Sequence, residues 1–249
     1  MRIKVIIPNA GMDKEALKRR EEMLSKVTMP STELSVECIE SGPESIESYY
    51  DEALALPSLL KQTKKAEKDG YDAVVVYCGS DPGLEALREI VSIPVVGPGR
   101  LAFLVASELS LAFSVITPLE ETVPIVKEQI RKIGVDLTRV ASIRSIDIPV
   151  SEIKPICDIR EPIEETRIYK VLLSESERAI KEDGAHAIVL HCLGMAGFGE
   201  ILQQKLNVPV IDPAFLAVKY AETLAILKLS HSRKSYALPK TKKGHNAPG

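Results

Sequence analysis

The chain has 249 residues, 45% hydrophobic and 27% charged, with a formal net charge of -3. That length buries a large core as one domain or as two lobes of roughly 100 residues, and the composition is that of a globular protein and not a disordered one. The charge gives no electrostatic reason to expect nucleic acid or an anionic membrane as partner, and no apolar run approaches the roughly 18 to 20 residues of a bilayer span, so a small-molecule partner and a cytoplasmic location are expected.

In chain order, β-branched runs predict strands near 2–7, 33–39, 73–77, 93–96, 112–116, 138–144, 186–191 and 208–211. Amphipathic stretches predict helices near 13–26, 44–69 (broken or kinked at Pro57), 83–90, 100–109, 119–133, 162–182, 197–206 and 213–228. Such alternation means an α/β fold, a mainly parallel sheet flanked by helices, with reactive groups gathered at the carboxyl ends of the strands. The polar stretch 240–249 reads as a disordered tail.

The chain also repeats itself. Asp69-Gly70-Tyr71-Asp72-Ala73-Val74-Val75-Val76-Tyr77-Cys78 matches Asp183-Gly184-Ala185-His186-Ala187-Ile188-Val189-Leu190-His191-Cys192 at an offset of 114 positions. Ile93-Pro94-Val95-Val96-Gly97-Pro98 then matches Val208-Pro209-Val210-Ile211-Asp212-Pro213 at an offset of 115. General βα likeness explains the strands, but not a cysteine at the end of both. The repeat predicts two pseudo-twofold-related α/β lobes, 1–96 plus 211–239 and 97–210, with the active site in the cleft between them. The chain crosses over after Pro98 and again after Pro213.

Of the four cysteines, Cys38 and Cys157 have no counterpart and read as inert thiols; none forms a Cys-x-x-Cys pair. The histidines lack metal-site spacing and no phosphate-binding glycine loop occurs, so neither metal nor cofactor is expected. Cys78 and Cys192, set on symmetric strand ends, suit proton chemistry. Two bases on opposite faces of an acidic carbon remove a proton from one side and return one to the other. A thiol pKa of roughly 8.5 needs only a modest shift toward neutrality, and the turns Gly79-Ser80-Asp81-Pro82-Gly83 and Leu193-Gly194-Met195-Ala196-Gly197 carry N–H groups that can steady a thiolate.

Cys78-Gly79-Ser80-Asp81-Pro82-Gly83-Leu84 and Cys192-Leu193-Gly194-Met195-Ala196 resemble the two cysteine motifs of the hydantoin and allantoin racemases, in the aspartate/glutamate racemase superfamily. Phe113-Ser114-Val115-Ile116-Thr117 resembles the element that places a threonine at the substrate, and Pro8-Asn9 the first loop. The resemblance runs from about residue 3 to about 239. It implies a cofactor-free racemase, often oligomeric. Cys78 and Cys192 would be the acid–base pair, and Asn9, Gly79, Ser80, Thr117, Leu193 and Gly194 would hold substrate. Related members isomerise or decarboxylate, so an acidic amino-acid racemase, a maleate-type isomerase, a decarboxylase or an inactive binding protein are the alternatives. Ala10-Gly11, Pro118 and the 230–236 segment depart from the family pattern in substrate-holding elements.

Other residues are read more plainly. Asp81 is expected to cap a helix. His191 should point away from Cys192, on the opposite face of its strand. Arg233 and Lys234 read as solvated surface, with a lid over an anionic substrate as the other option, and Tyr49-Tyr50 could form part of a cleft wall.

Overall fold

The computed structural model describes residues 1–240; all but the first residue of the expected tail lies outside the described residues. Strands β1 (Arg2–Ile7), β2 (Glu33–Cys38), β3 (Ala73–Val76), β4 (Val95–Val96), β5 (Phe113–Thr117), β6 (Val140–Ser145), β7 (Ala187–Leu190) and β8 (Val210–Ile211) alternate with helices. These are α1 (Lys14–Ser25), α2 (Tyr49–Lys68), α3 (Leu84–Ile90), α4 (Pro98–Leu109), α5 (Val123–Lys132), α6 (Arg167–Lys181), α7 (Phe198–Leu206) and α8 (Pro213–Ile226). All strand pairs are parallel, in two four-stranded sheets ordered β2-β1-β3-β4 and β6-β5-β7-β8. Each strand of the second sheet takes the place of the one four earlier, as the sequence repeat requires.

β3 and β7 are apolar throughout because both faces of each sheet are covered. Alternate side chains divide between the faces. Ile3, Val5 and Val75 pack with residues of α1 and α8, whereas Ile6, Val74 and Val76 pack with α2 and α3. In the second sheet Ile116, Ile188 and Leu190 meet α6 and α7, while Phe113, Val115 and Val189 meet α4 and α5. Phe103, Phe113 and Phe198 are fully buried. Truncating one of them to Ala costs on the order of 3–5 kcal/mol.

Both crossover helices begin with proline, whose missing N–H is no loss at a first helical position. After Pro98, α4 lies on β7 and β8 of the second sheet; after Pro213, α8 returns to β1, β3 and β4 of the first, and the two helices pack on each other. Glu222, fully buried on α8, accepts hydrogen bonds from Met29 N (2.8 Å), Thr32 Oγ1 (2.5 Å) and Lys219 Nζ (2.6 Å). It ties the returning helix to the loop before β2. No helix among the described residues is long and apolar enough to cross a membrane.

Three expectations change in detail. The helix expected from 44 starts at Tyr49, because Ser48 caps it: Ser48 Oγ accepts from Asp51 N at 3.2 Å and donates to Asp51 Oδ2 at 2.7 Å. It runs unbroken through Pro57, since Pro57 and Ala53, whose carbonyl the proline leaves unpaired, lie on the exposed face where solvent reaches them. The stretch between β6 and α6, read largely as connection, is built of 3-10 turns at Val150–Glu152, Ile156–Asp158 and Ile163–Glu165, each preceded by a proline (Pro149, Pro155, Pro162). Buried Ile148 and Ile153 anchor it to the second core.

Candidate active site

The loops leaving β1, β3, β5 and β7 open into one cavity of about 420 Å³. Cys78, Cys192, Asn9, Gly79, Ser80, Thr117, Leu193 and Gly194 all line it. Glu44, Glu47 and Glu52, from the entry to α2, and Val150, Ser151 and Ile153, from the proline-led turns, line it too. Sequence reasoning had not assigned these six to the site. The Ser48-x-x-Asp51 cap was the one available signal that the segment before α2 is a fixed loop.

The two cysteine segments touch on both sides of the cysteines. Tyr77, just before Cys78, donates its hydroxyl to the carbonyl of Leu193, just after Cys192, at 3.3 Å. Gly79, just after Cys78, lies so close to His191, just before Cys192, that a Cβ on it would stand 1.8 Å from the His191 carbonyl oxygen. The segments therefore pass each other in opposite directions with the cysteines at the crossing, as a pseudo-twofold axis between them demands. Gln129 of α5 locks the crossing, its Nε2 donating to Gly79 O (2.8 Å) and Asp81 Oδ2 (3.1 Å). Its Oε1 faces His191 Nε2 at 3.0 Å, so that ring nitrogen carries the proton.

Buried carboxylates hold the loops to the crossover helices. Asp81 accepts from Gly99 N (3.0 Å) and Arg100 N (2.6 Å), capping α4 and not the α3 that follows it in sequence. Asp212 caps α8 through Ala214 N (3.0 Å) and reaches the second cysteine loop at Gly197 N (2.7 Å). The carboxylate comes from the loop in one half and from the helix in the other. Gly97, the counterpart of Asp212, is bare because a Cβ there would sit 2.7 Å from the Asp81 carboxyl carbon. Burial raises Asp81 to about 7 and Asp212 to about 6.

Electrostatics correct one expectation. Burial pushes the Cys78 thiol up to about 12, against a smaller lowering by the Ser80 hydroxyl and N–H. Burial pushes Cys192 up to about 11, against the N–H groups of Gly194 and Met195. The loop amides act as expected, but desolvation of the charged form outweighs them. Burial therefore favours the neutral thiol at both positions.

Among the remaining residues, Thr117 is fully buried, its Oγ1 2.6 Å from Thr122 Oγ1, which itself donates to Leu119 O at 2.7 Å. Leu193 packs into the first core and also lines the cavity. His191 stacks on Phe103 with ring centroids 5.8 Å apart, and burial lowers it to about 4; it forms no pair with Cys192, as its strand position foretold. Cys38 and Cys157 pack against the first core, away from the cavity lining. Arg233 donates to the carbonyls of Arg88 and Glu89 at 3.2 and 3.3 Å and to that of Val91, fastening the C-terminal segment to the end of α3, so it is no lid. Tyr49 and Tyr50 are exposed and outside the cavity lining.

Known proteins resemble this chain over nearly its whole length. The family model described as Asp/Glu/Hydantoin racemase matches residues 3–221. A hydantoin racemase of Pseudomonas sp. (strain NS671) is 38% identical over 97% of this chain and 93% of its own, and that of Rhizobium meliloti 38% over 97% and 96%. The allantoin racemase structure from Klebsiella pneumoniae superposes with a TM-score of 0.85 at 34% identity, covering 97% of this chain and 94% of its own. This chain belongs to the Asp/Glu/hydantoin racemase family, and with it to the isomerases.

Proposed function

We propose that the protein is a cofactor-independent racemase in which Cys78 and Cys192 serve as acid and base on opposite faces of the stereocentre of a 5-substituted hydantoin, allantoin or a related amino-acid derivative. The crossing of the two cysteine segments carries this reading. A substrate carbon at the crossing meets one sulfur on each face. One thiolate takes the proton, the electron pair moves into the adjacent carbonyl, and the other thiol protonates the opposite face. Burial favours the thiol at both positions, so turnover requires one of the two to give up its proton once substrate is bound. Asn9, Thr117 and the backbone at Gly79, Ser80, Leu193 and Gly194 are the groups offered to the polar atoms of the substrate.

The cavity lining favours an uncharged ring over a dicarboxylate. Glu44 and Glu47 line it, and its arginine, Arg20, is already engaged by Asp158 at 2.9 Å. An aspartate, glutamate or maleate substrate would enter a negative site. Polarimetry with hydantoins, allantoin, aspartate and glutamate, and ultraviolet absorbance with maleate, separate the readings: turnover of the ureides alone supports this one, turnover of the acids alone replaces it, and no turnover leaves a binding protein. Activity should survive dialysis against chelator with reductant present. The same reading assigns 1–96 with 211–239 to one lobe and 97–210 to the other, supported by the packing of α8 and α4 on opposite sheets. It further assigns a homo-oligomer in the reducing cytoplasm, where such thiols stay free.

A further inference from the structure

The two thiols are connected to their surroundings differently. The hydrogen bonds that steady Cys192 come from backbone, the N–H groups of Gly194 and Met195, while the Glu47 carboxylate acts on it through charge alone and raises it. Cys78 also meets a side chain: Ser80 Oγ lies 3.4 Å from its Sγ, and the Ser80 hydroxyl is near enough to the Glu52 carboxyl to favour its charged form. Ser80 and Glu52 line the cysteine cavity and also a second cavity of about 160 Å³, whose walls include Glu85, Arg100 and Lys132. The two residues thus form a polar partition between the spaces, with Cys78 on one side. Among the described residues no side-chain hydrogen bond links Cys192 to a carboxyl, and Glu47 nearby is held by Val150 N at 3.0 Å.

We propose that Ser80 and Glu52 relay protons between Cys78 and solvent through the second cavity while substrate fills the first, and that Cys192 has no such outlet. The inference rests on the two-cysteine reading above. As the Cys78 S–H proton passes to Ser80 Oγ, the Ser80 hydroxyl proton passes to a Glu52 carboxylate oxygen. A Cys78 thiolate, an intact serine and a neutral carboxylic acid remain; the acid then yields its proton to water in the second cavity, and the reverse sequence reloads Cys78. Burial holds the Glu52 carboxyl above its usual range, which favours its protonated form, and Lys132 is near enough to steady its charge afterwards. Ser80 and Glu52 act through Cys78 and are positioning residues in this step.

The consequence is an isotopic asymmetry. A proton taken up by Cys78 is replaced from solvent before it returns to carbon; one taken up by Cys192 stays until product leaves. Each hydantoin enantiomer is incubated separately in D₂O, and initial rates of α-deuteration with retention and of inversion are measured by mass spectrometry and polarimetry. The Cys192→Ala variant identifies the enantiomer that faces Cys78. In the wild type the ratio of exchange to inversion should be several-fold higher for that enantiomer than for its mirror image. Glu52→Gln and Ser80→Ala should bring the two ratios together, and Glu52→Asp should keep part of the difference. A variant that is merely damaged slows both reactions of both enantiomers and leaves the ratios apart. Equal ratios in the wild type, or a difference that persists in both Glu52→Gln and Ser80→Ala, overturn the relay. A wild-type protein that racemises no hydantoin overturns the functional reading itself.

Discussion

Alkylation of the ligand-free protein across pH 7 to 9.5 probes the cavity without any substrate. Cys78 lies at about 12 and Cys192 at about 11, so at pH 8 roughly one Cys78 in ten thousand and one Cys192 in a thousand is a thiolate. Only the thiolate reacts. The rate at each site should therefore climb about tenfold per pH unit over the whole range, with no plateau. Iodoacetamide, a timed quench and mass spectrometry of the two cysteine peptides give both rates in one sample. A plateau below pH 9 at either cysteine would mean that the loop amides outweigh burial, and the account of the cavity electrostatics would be wrong.

Other expected outcomes follow from single contacts. Gly79→Ala places a methyl 1.8 Å from the His191 carbonyl oxygen and forces the cysteine segments apart. Racemisation should fall by on the order of a hundredfold, because small misplacements of reacting groups cost that much, and the melting temperature should drop; a variant as active as wild type would contradict the crossing. Asp212 is raised in the fold from 3.8 to about 6, so its protonation favours the folded state; this contribution is complete below about pH 4 and is lost as pH rises through 6. It amounts to on the order of 3 kcal/mol at most, and urea unfolding of Asp212→Asn at pH 4.5 and 7.5 should show a flatter pH dependence than wild type; an unchanged slope refutes the assignment. Thr117→Val removes the 2.6 Å bond to Thr122 at a cost of about 1 kcal/mol. KM should rise if the threonine meets substrate, whereas an unchanged KM with a lower melting temperature leaves it a purely structural residue.

Local chemistry made much of this legible in the sequence. Val74-Val75-Val76 and Ile188-Val189-Leu190 are runs that only a sheet covered on both faces accepts, and glycine stops before them and prolines after β4 and β8 fixed the order of elements. The cysteines stood out because symmetry repeated them. What depended on distant partners was hidden. Asp81 read as a cap, but its helix is α4, which folding brings back to it. The contact between Gly79 and His191 spans both halves, and no local pattern announces it. Glu52 sits on a helix whose polar face looks solvated until the cavity is formed. The thiol pKa values were misjudged for the same reason: the amides of the turns are visible in sequence, whereas the burial that outweighs them is not.

The central claim is that each thiol serves one face of one stereocentre. It is tested most directly by incubating Cys78→Ala and Cys192→Ala separately with each enantiomer of a racemised hydantoin in D₂O, reading α-deuteration apart from optical rotation. Both variants should lose net racemisation by on the order of 10² to 10⁴, the usual loss when an acid–base group is removed. Each should still exchange the α-hydrogen of one enantiomer only, with retained configuration, and the two should choose opposite enantiomers; exchange by Cys78→Ala should be the slower, because the Cys192 proton lacks the Ser80–Glu52 outlet. Exchange of both enantiomers by both variants, or racemisation by either near the wild-type rate, would contradict the assignment of one cysteine to each face.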